Sequence, residues 1–218
     1  MVLTMYAKVI MLPRESHISF RLTWQQALPY VLIIASIIGL MASFVLTNDK
    51  LHLLQTPTFQ PSCNLNPIIS CGAVMKSAQA STLGTPNSIF GLIAFSSLGM
   101  FGLMLLADAS FKRWLWVSAQ LFATAGVIGM HYLFFEDIFR IHAICPWCFS
   151  VWMVTIPAFF GITICNIRAN RIGADRFQLT KRAAELINKY STDLLVLWYL
   201  VIFSILLTKF WYYWKTLL

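Results

Sequence analysis

Residues 144–167 read ICPWCFSVWMVTIPAFFGITICNI, a run without a charged residue that opens on a Cys-Pro-Trp-Cys motif. A helix needs about 20 apolar residues to cross a hydrocarbon layer of about 30 Å. In that layer only a helix or a closed barrel can satisfy its own backbone donors and acceptors. The stretch is therefore read as a transmembrane helix carrying two cysteines in its first turn.

Working outward, four more runs have the same character: residues 27–46, 88–107, 114–135 and 194–214. None contains an acidic residue, and their one charged residue, Lys209, lies close enough to a membrane surface to snorkel. Composition agrees, since 59% of residues are hydrophobic and only 11% charged, against about a quarter charged in soluble domains. A water-soluble fold is excluded, and the expected class is an all-α polytopic membrane protein. The first run is too long for the apolar part of a secretory signal and no A-x-A cleavage pattern follows it, so it is read as a retained anchor.

The basic residues set an orientation. Lys8, Arg14 and Arg21 precede the first span; Lys112 and Arg113 separate the second and third; Arg168, Arg171, Arg176, Lys181, Arg182 and Lys189 precede the fifth. The other two connections carry only Lys50, Lys76 and Arg140, so eleven cations face three. The positive-inside rule then puts the amino terminus in the cytoplasm of a multi-pass plasma-membrane protein, with the carboxyl terminus outside. The net charge of +8 is spread between spans instead of forming one patch, which argues against nucleic-acid binding. The expected layout is a cytoplasmic segment 1–26, a four-span domain 27–167 with an outer loop 47–87, a basic loop 168–193 and a fifth span with its tail, 194–218.

Four of the five cysteines fall on the outer side. Cys63 and Cys71 lie in the long loop, and Cys145 and Cys148 lie where the short loop 136–143 runs into the fourth span. At a helix start, unpaired N–H groups and the helix dipole favour negative charge on the first sulfur. Pro146 suits the first turn, where its missing donor costs nothing. Cys148 sits one turn deeper, the better place to meet an oxidant dissolved in lipid. Two pairs on one face suit thiol–disulfide exchange, which needs one dithiol to attack another. A stapling disulfide, or a zinc site using four thiolates, are the competing readings. Cys165, near the far end of the same helix, is read as a small buried hydrophobe.

Three ordered motifs carry a resemblance: Cys63-Asn-Leu-Asn-Pro-Ile-Ile-Ser-Cys71-Gly, Pro86-Asn-Ser-Ile-Phe-Gly91 and Cys145-Pro-Trp-Cys148. Over residues 27–167 the chain resembles the vitamin K epoxide reductase family, in particular its bacterial quinone-linked members. The resemblance implies a four-helix bundle around a quinone (ubiquinone or menaquinone), with a fifth helix added. It also implies a thioredoxin-fold, DsbA-like partner outside the cell. By position, Cys63 would engage that partner, Cys71 would exchange with Cys145, and Cys148 would face the quinone. Asn87 would donate a hydrogen bond to a quinone carbonyl, though an asparagine here could instead cap its helix.

Two departures from the family pattern stand out. Trp152 replaces a tyrosine four residues after Cys148, and its indole can donate but not accept, which bears on quinone specificity. Asn64 replaces an acidic residue after Cys63, which bears on thiolate formation there. Several relatives carry a fused thioredoxin-like domain after the fifth helix; the sequence ends at Leu218, so the partner is expected to be a separate protein.

The implied function is a membrane thiol oxidoreductase that generates disulfides. Two alternatives remain: an epoxide or quinone reductase using the same relay, and a metal-binding or structural scaffold. Residues 72–82, with Val74, Met75 and Ala78, suit a short helix at the interface that could cover the quinone pocket. His131 and His142 are candidates for moving protons. Trp24, Trp114, Trp116, Trp211, Tyr212, Tyr213 and Trp214 read as an interfacial belt. Leu179, Ala183, Leu186 and Ile187 give the basic loop an apolar side that could rest on anionic lipid.

Overall fold

A computed structural model describes residues 24–66, 68–82, 84–171, 182, 185–187 and 189–215. The amino-terminal segment with Lys8, Arg14 and Arg21, and most of the basic loop, with Arg176, Lys181, Leu179 and Ala183, lie outside the described residues.

The described chain is α-helical, with five helices long and apolar enough to cross a membrane. In order they are α1 (Trp24–Gln55), a short α2 (Cys71–Lys76) followed by a 3-10 turn (Ala78–Ser81), α3 (Asn87–Leu106), α4 (Arg113–Glu136) continuing into a π-helical turn (Asp137–Ile141), α5 (Pro146–Arg168), α6 (Ser191–Lys209) and a four-residue α7 (Trp211–Trp214). The chain is thus an all-α polytopic membrane protein.

Helix α1 lies between α3 and α5, and α5 packs in turn on α4. The α1–α3 seam is tight because small residues face large ones. A Cβ on Gly39 would sit inside the Phe95 ring, and one on Gly99 would strike the Ser36 hydroxyl. The Ser36 hydroxyl donates to the Phe95 carbonyl at 2.7 Å, tying the two backbones at their closest approach. Small residues are what allow such an approach in lipid, where no hydrophobic force drives helices together.

Helices α4 and α5 are joined by polar side chains instead. Gln120 donates to Thr163 at 2.9 Å, while Asn166, fully buried, donates to Gln120 and to the Trp116 carbonyl at 3.2 Å each. One apolar core (Leu28, Leu32, Phe95, Trp116, Ile162, Cys165) unites all four helices at this end. Cys165, 3% exposed, is an enclosed part of it, in the last turn of α5 and at the opposite end of that helix from Cys145 and Cys148.

Three boundaries differ from the sequence reading. Helix α1 does not stop at residue 46 but runs on to Gln55, so the connection expected over 47–87 is shorter. Tertiary contacts hold the extension: Thr47 donates to the Ser88 hydroxyl, Lys50 donates to the Met75 carbonyl, and Leu53 is buried against the loop. The helix of the fifth span begins at Ser191 and ends at Lys209, where Phe210, 1% exposed, drops into a cluster with Ile68 and Ile138 and turns the chain into α7. Trp116 is no belt residue but a core one, with the Arg171 guanidinium 4.0 Å over its ring. Trp114 and Trp211 are well exposed at helix ends, as an interfacial belt requires. The side chains of Tyr212 and Trp214 lie outside the described residues.

Helix α6 is attached by three named bonds. The Trp198 indole donates to His131 Nε2 at 3.1 Å, the Tyr199 hydroxyl donates to the Met153 carbonyl at 2.6 Å, and the Trp24 indole donates to the Ser191 hydroxyl at 3.0 Å.

Candidate functional site

Helix α5 starts at Pro146, and Cys145 occupies its N-cap with extended backbone. The Cys148 N–H points at the Cys145 sulfur, 3.4 Å away, a donor placed to stabilise negative charge there. Cys145 has no exposed surface, whereas Cys148 is only half-buried.

The opposing loop is shaped by two asparagines. Asn66 Oδ1 accepts from the Ile68 and Ile69 N–H groups at 2.9 and 2.7 Å, closing a side-chain-mediated turn. Asn64 Oδ1 accepts from the Gly72 N–H at 2.8 Å and from the Ser70 hydroxyl at 3.1 Å, while Ser70 Oγ accepts from the Ala73 N–H. Both side chains thereby satisfy the free donors at the start of α2. A Cβ at Gly72 would press on the Asn64 amide, so glycine is required at that approach.

Loop and helix are then locked together by backbone. The Ser70 N–H donates to the Ile144 carbonyl at 3.1 Å and the Ile144 N–H to the Ile68 carbonyl at 2.6 Å, forming an isolated parallel bridge between Ile69 and Ile144. Ser70 immediately precedes Cys71, and Ile144 immediately precedes Cys145. The bridge therefore sets the register of the two cysteines: Cys145 Sγ stands 3.3 Å from Cys71 Sγ, and Cys71 is disulfide-bonded to Cys63. Leu53, Met75, Val74 and Trp147 wrap the sulfurs in an apolar shell.

Beside Cys148 opens a cavity of about 140 Å³. Its walls come from α1 (Ser43, Leu46, Lys50), α2 and the turn after it (Val74, Met75, Gln79), α3 (Asn87, Gly91), α4 with its π turn (Met130, Asp137) and α5 (Cys148, Val151, Trp152). An engineered apolar cavity of about 150 Å³ takes up benzene, so one six-membered ring fits this space.

Asn87, Cys148 and Trp152 all line that cavity. Asn87 does not cap α3, whose N-cap is Pro86. Its amide nitrogen donates to the Gln79 carbonyl at 2.7 Å and to Thr82 Oγ1 at 3.3 Å, and its oxygen accepts from the Thr82 N–H at 3.1 Å. It thus clamps the 3-10 turn over the cavity mouth. Trp152, 3% exposed, is braced edge-on by Phe134 at 4.6 Å and Phe149 at 6.0 Å.

The histidines lie elsewhere. His131 Nδ1 is 2.8 Å from the Val127 carbonyl of its own helix and its Nε2 accepts from Trp198 of α6, so both ring nitrogens are engaged. His142 is exposed and adopts the left-handed conformation (φ 59°), ending the π turn with its N–H on the Asp137 carbonyl. Neither lines the cavity. Among the described residues no group of three or more His, Cys, Asp or Glu is placed to hold a metal ion, and two of the four thiols needed for a zinc shell are bonded to each other.

Two cavity residues escaped the sequence reading. Lys50 reaches it because α1 is longer than its apolar run. Asp137 reaches it where α4 widens into the π turn, which leaves this residue 2% exposed. The available signal was the acidic pair Glu136-Asp137 closing an apolar span, since ionisable groups at membrane depth are functional candidates by default.

A family model described as the vitamin K epoxide reductase family matches residues 30–163. No curated protein matches the chain. The matched segment contains α1 to α5 nearly whole, and with them both cysteine pairs and the cavity.

Proposed function

Because the chain belongs to the vitamin K epoxide reductase family, a family of quinone-associated membrane oxidoreductases, we propose that it generates disulfides by passing electrons from a thioredoxin-fold partner to a membrane quinone. The observation that carries this reading is the continuity of its sulfur chain: a loop disulfide, a thiol 3.3 Å from it, and a second thiol on a ring-sized cavity.

The cycle has two steps. In the first, the Cys145 and Cys148 thiols lose two S–H bonds and gain an S–S bond, and two electrons and two protons pass to the ring oxygens of ubiquinone or menaquinone, giving the quinol. In the second, the reduced Cys71 thiolate attacks Cys145, releasing Cys148, and Cys63 then attacks Cys71, releasing Cys145. The loop disulfide so formed accepts a dithiol's electrons from a DsbA-like partner, for which Cys63, 8% exposed and next to the exposed Ser62, is the point of attack.

The apolar shell excludes water while sulfur meets sulfur, and the backbone bridge holds them within near-attack distance, about 3–3.5 Å. For two electrons each 30 mV of potential difference is worth about 1.4 kcal/mol, so even a modest gap between quinone and dithiol drives the relay. Asn87 borders the cavity and would reach a quinone carbonyl by giving up its 3.3 Å bond to Thr82 Oγ1, and Trp152 forms the wall against which the ring would stack. Lys112, Arg113, Arg168 and Arg171 cluster at the bundle end opposite the cysteines, which supports a redox centre facing outward and an amino terminus inside.

The test is quinone-dependent oxidation of a reduced thioredoxin-fold protein by the purified chain, compared with Cys148→Ala. Oxidation that vanishes in the variant supports the proposal. Equal rates would remove Cys148 from the pathway, and rapid turnover of vitamin K epoxide with little partner oxidation would favour the reductase reading instead.

A further inference from the structure

We infer that Asp137 is the proton-transfer residue of the quinone step, taking the proton from Cys148 and delivering it to the ring oxygen that faces the π turn. This inference rests on the quinone-linked reading above and adds to it a residue outside the sulfur chain.

Three observations point to it. The side chain of Asp137 is 2% exposed yet lines the same cavity as Cys148. Its carboxyl lies close enough to Cys148 for the two groups to interact electrostatically, while its backbone carbonyl is held by the His142 and Ala143 N–H groups. Its acidic neighbour is committed elsewhere, with Glu136 paired to Arg140 at 3.1 Å. A carboxyl held at membrane depth beside a redox thiol is costly to keep and persists where chemistry uses it. The π turn that aims it inward belongs to a class of helix distortion found frequently at functional sites.

The chemistry has a vacancy of the right kind. Converting two thiols and a quinone into a disulfide and a quinol moves two protons from sulfur to oxygen, within a cavity whose walls are mostly apolar. Neither histidine borders the space, and among its described lining residues Asp137 is the one carboxyl group. As the Cys148 sulfur bonds to Cys145, Asp137 would accept the Cys148 proton and pass it on to the quinone, ending as the carboxylate with which it began; the second proton that the quinol needs is the one that leaves Cys145. The charged or titratable groups around it are Glu136 with Arg140 on its own element, Lys50 from α1, and Cys145 with Cys148 from α5. Of these only Lys50 shares the cavity wall as a cation, and it is already bonded to the Met75 carbonyl.

Asp137→Asn keeps the shape and removes the acid. In single-turnover oxidation of the Cys145–Cys148 dithiol by a soluble ubiquinone analogue, the variant is expected to be slowed about a hundredfold, within the range of general acid–base catalysis. The wild-type rate falls on the acid side as Asp137 becomes protonated before reaction, and that limb is absent from the variant. Asp137→Glu restores part of the rate. The Cys63–Cys71 disulfide forms in the variant as in the wild type and the melting temperature in detergent stays close to it, two readouts without quinone that report intact folding. Infrared difference spectra between dithiol and chemically oxidised protein, also without quinone, show a carboxylate band that Asp137→Asn lacks. A variant that keeps the wild-type rate and acid limb overturns the inference. A wild-type protein that exchanges disulfides but never reduces the quinone overturns the proposed function, a result distinguishable because no variant is needed to see it.

Discussion

Cys145 Sγ lies 3.3 Å from Cys71 Sγ although the two residues are 74 positions apart, and the contact is enforced by the parallel bridge between Ile144, one residue before Cys145, and Ile69, two before Cys71. Replacing Cys63 removes the thiol that would resolve a bond between them. Cys63→Ser is therefore expected to accumulate a Cys71–Cys145 disulfide when supplied with quinone. Mass analysis of proteolytic fragments tests this; a chain in which Cys71 crosslinks only to Cys148 would sink the assignment of roles within the helix pair.

Ile144→Pro deletes the N–H that bonds to the Ile68 carbonyl. A single such bond is worth only about 1 kcal/mol, but a misplacement of about 1 Å between reacting atoms costs about a hundredfold in rate. Exchange between loop and helix cysteines should fall by ten- to a hundredfold. Oxidation of the helix dithiol by quinone, measured separately, should change far less, and an equal loss in both steps would contradict the bridge as a register device.

Asn87→Ala removes three hydrogen bonds to the turn that roofs the cavity. With net values of about 1 kcal/mol each and 1.4 kcal/mol per factor of ten, the KM for quinone should rise by tenfold or more. The quinone-free exchange rate should hold. Unchanged KM would mean that neither the clamp nor a ring contact depends on this side chain.

Trp198→Phe breaks the indole bond to His131 Nε2. Polar contacts between membrane helices average about 0.6 kcal/mol, so a small drop in the melting temperature in detergent is expected. The pH profile of quinone reduction should not move, because His131 holds α6 and does not border the cavity. A displaced profile would return His131 to the proton path.

Much of this protein is legible from one strand of text. Apolar runs report a membrane because no other arrangement hides twenty unpaired backbone groups in oil, and the runs at 88–107 and 114–135 correspond to α3 and α4 to within a residue at each end. The cysteine motifs are equally local, since a proline after Cys145 and a polar residue before Cys71 mark helix starts by their own chemistry. Helix ends held by distant partners are not legible in this way. Nothing in residues 47–55 says helix until Ser88, Met75 and the cysteine loop are there to bond and cover them.

The sequence by itself determined the medium, the number of spans and the placing of two cysteine pairs near one bundle end, because hydropathy, helix rise and capping are properties of neighbours along the chain. Only the tertiary structure decided which sulfur touches which, that Asn87 clamps a turn instead of capping its helix, and that Asp137 turns into the cavity. Those outcomes depend on hydrogen bonds between segments far apart in sequence and on the added residue of a π turn, and neither leaves a periodic trace for a reader of the sequence to find.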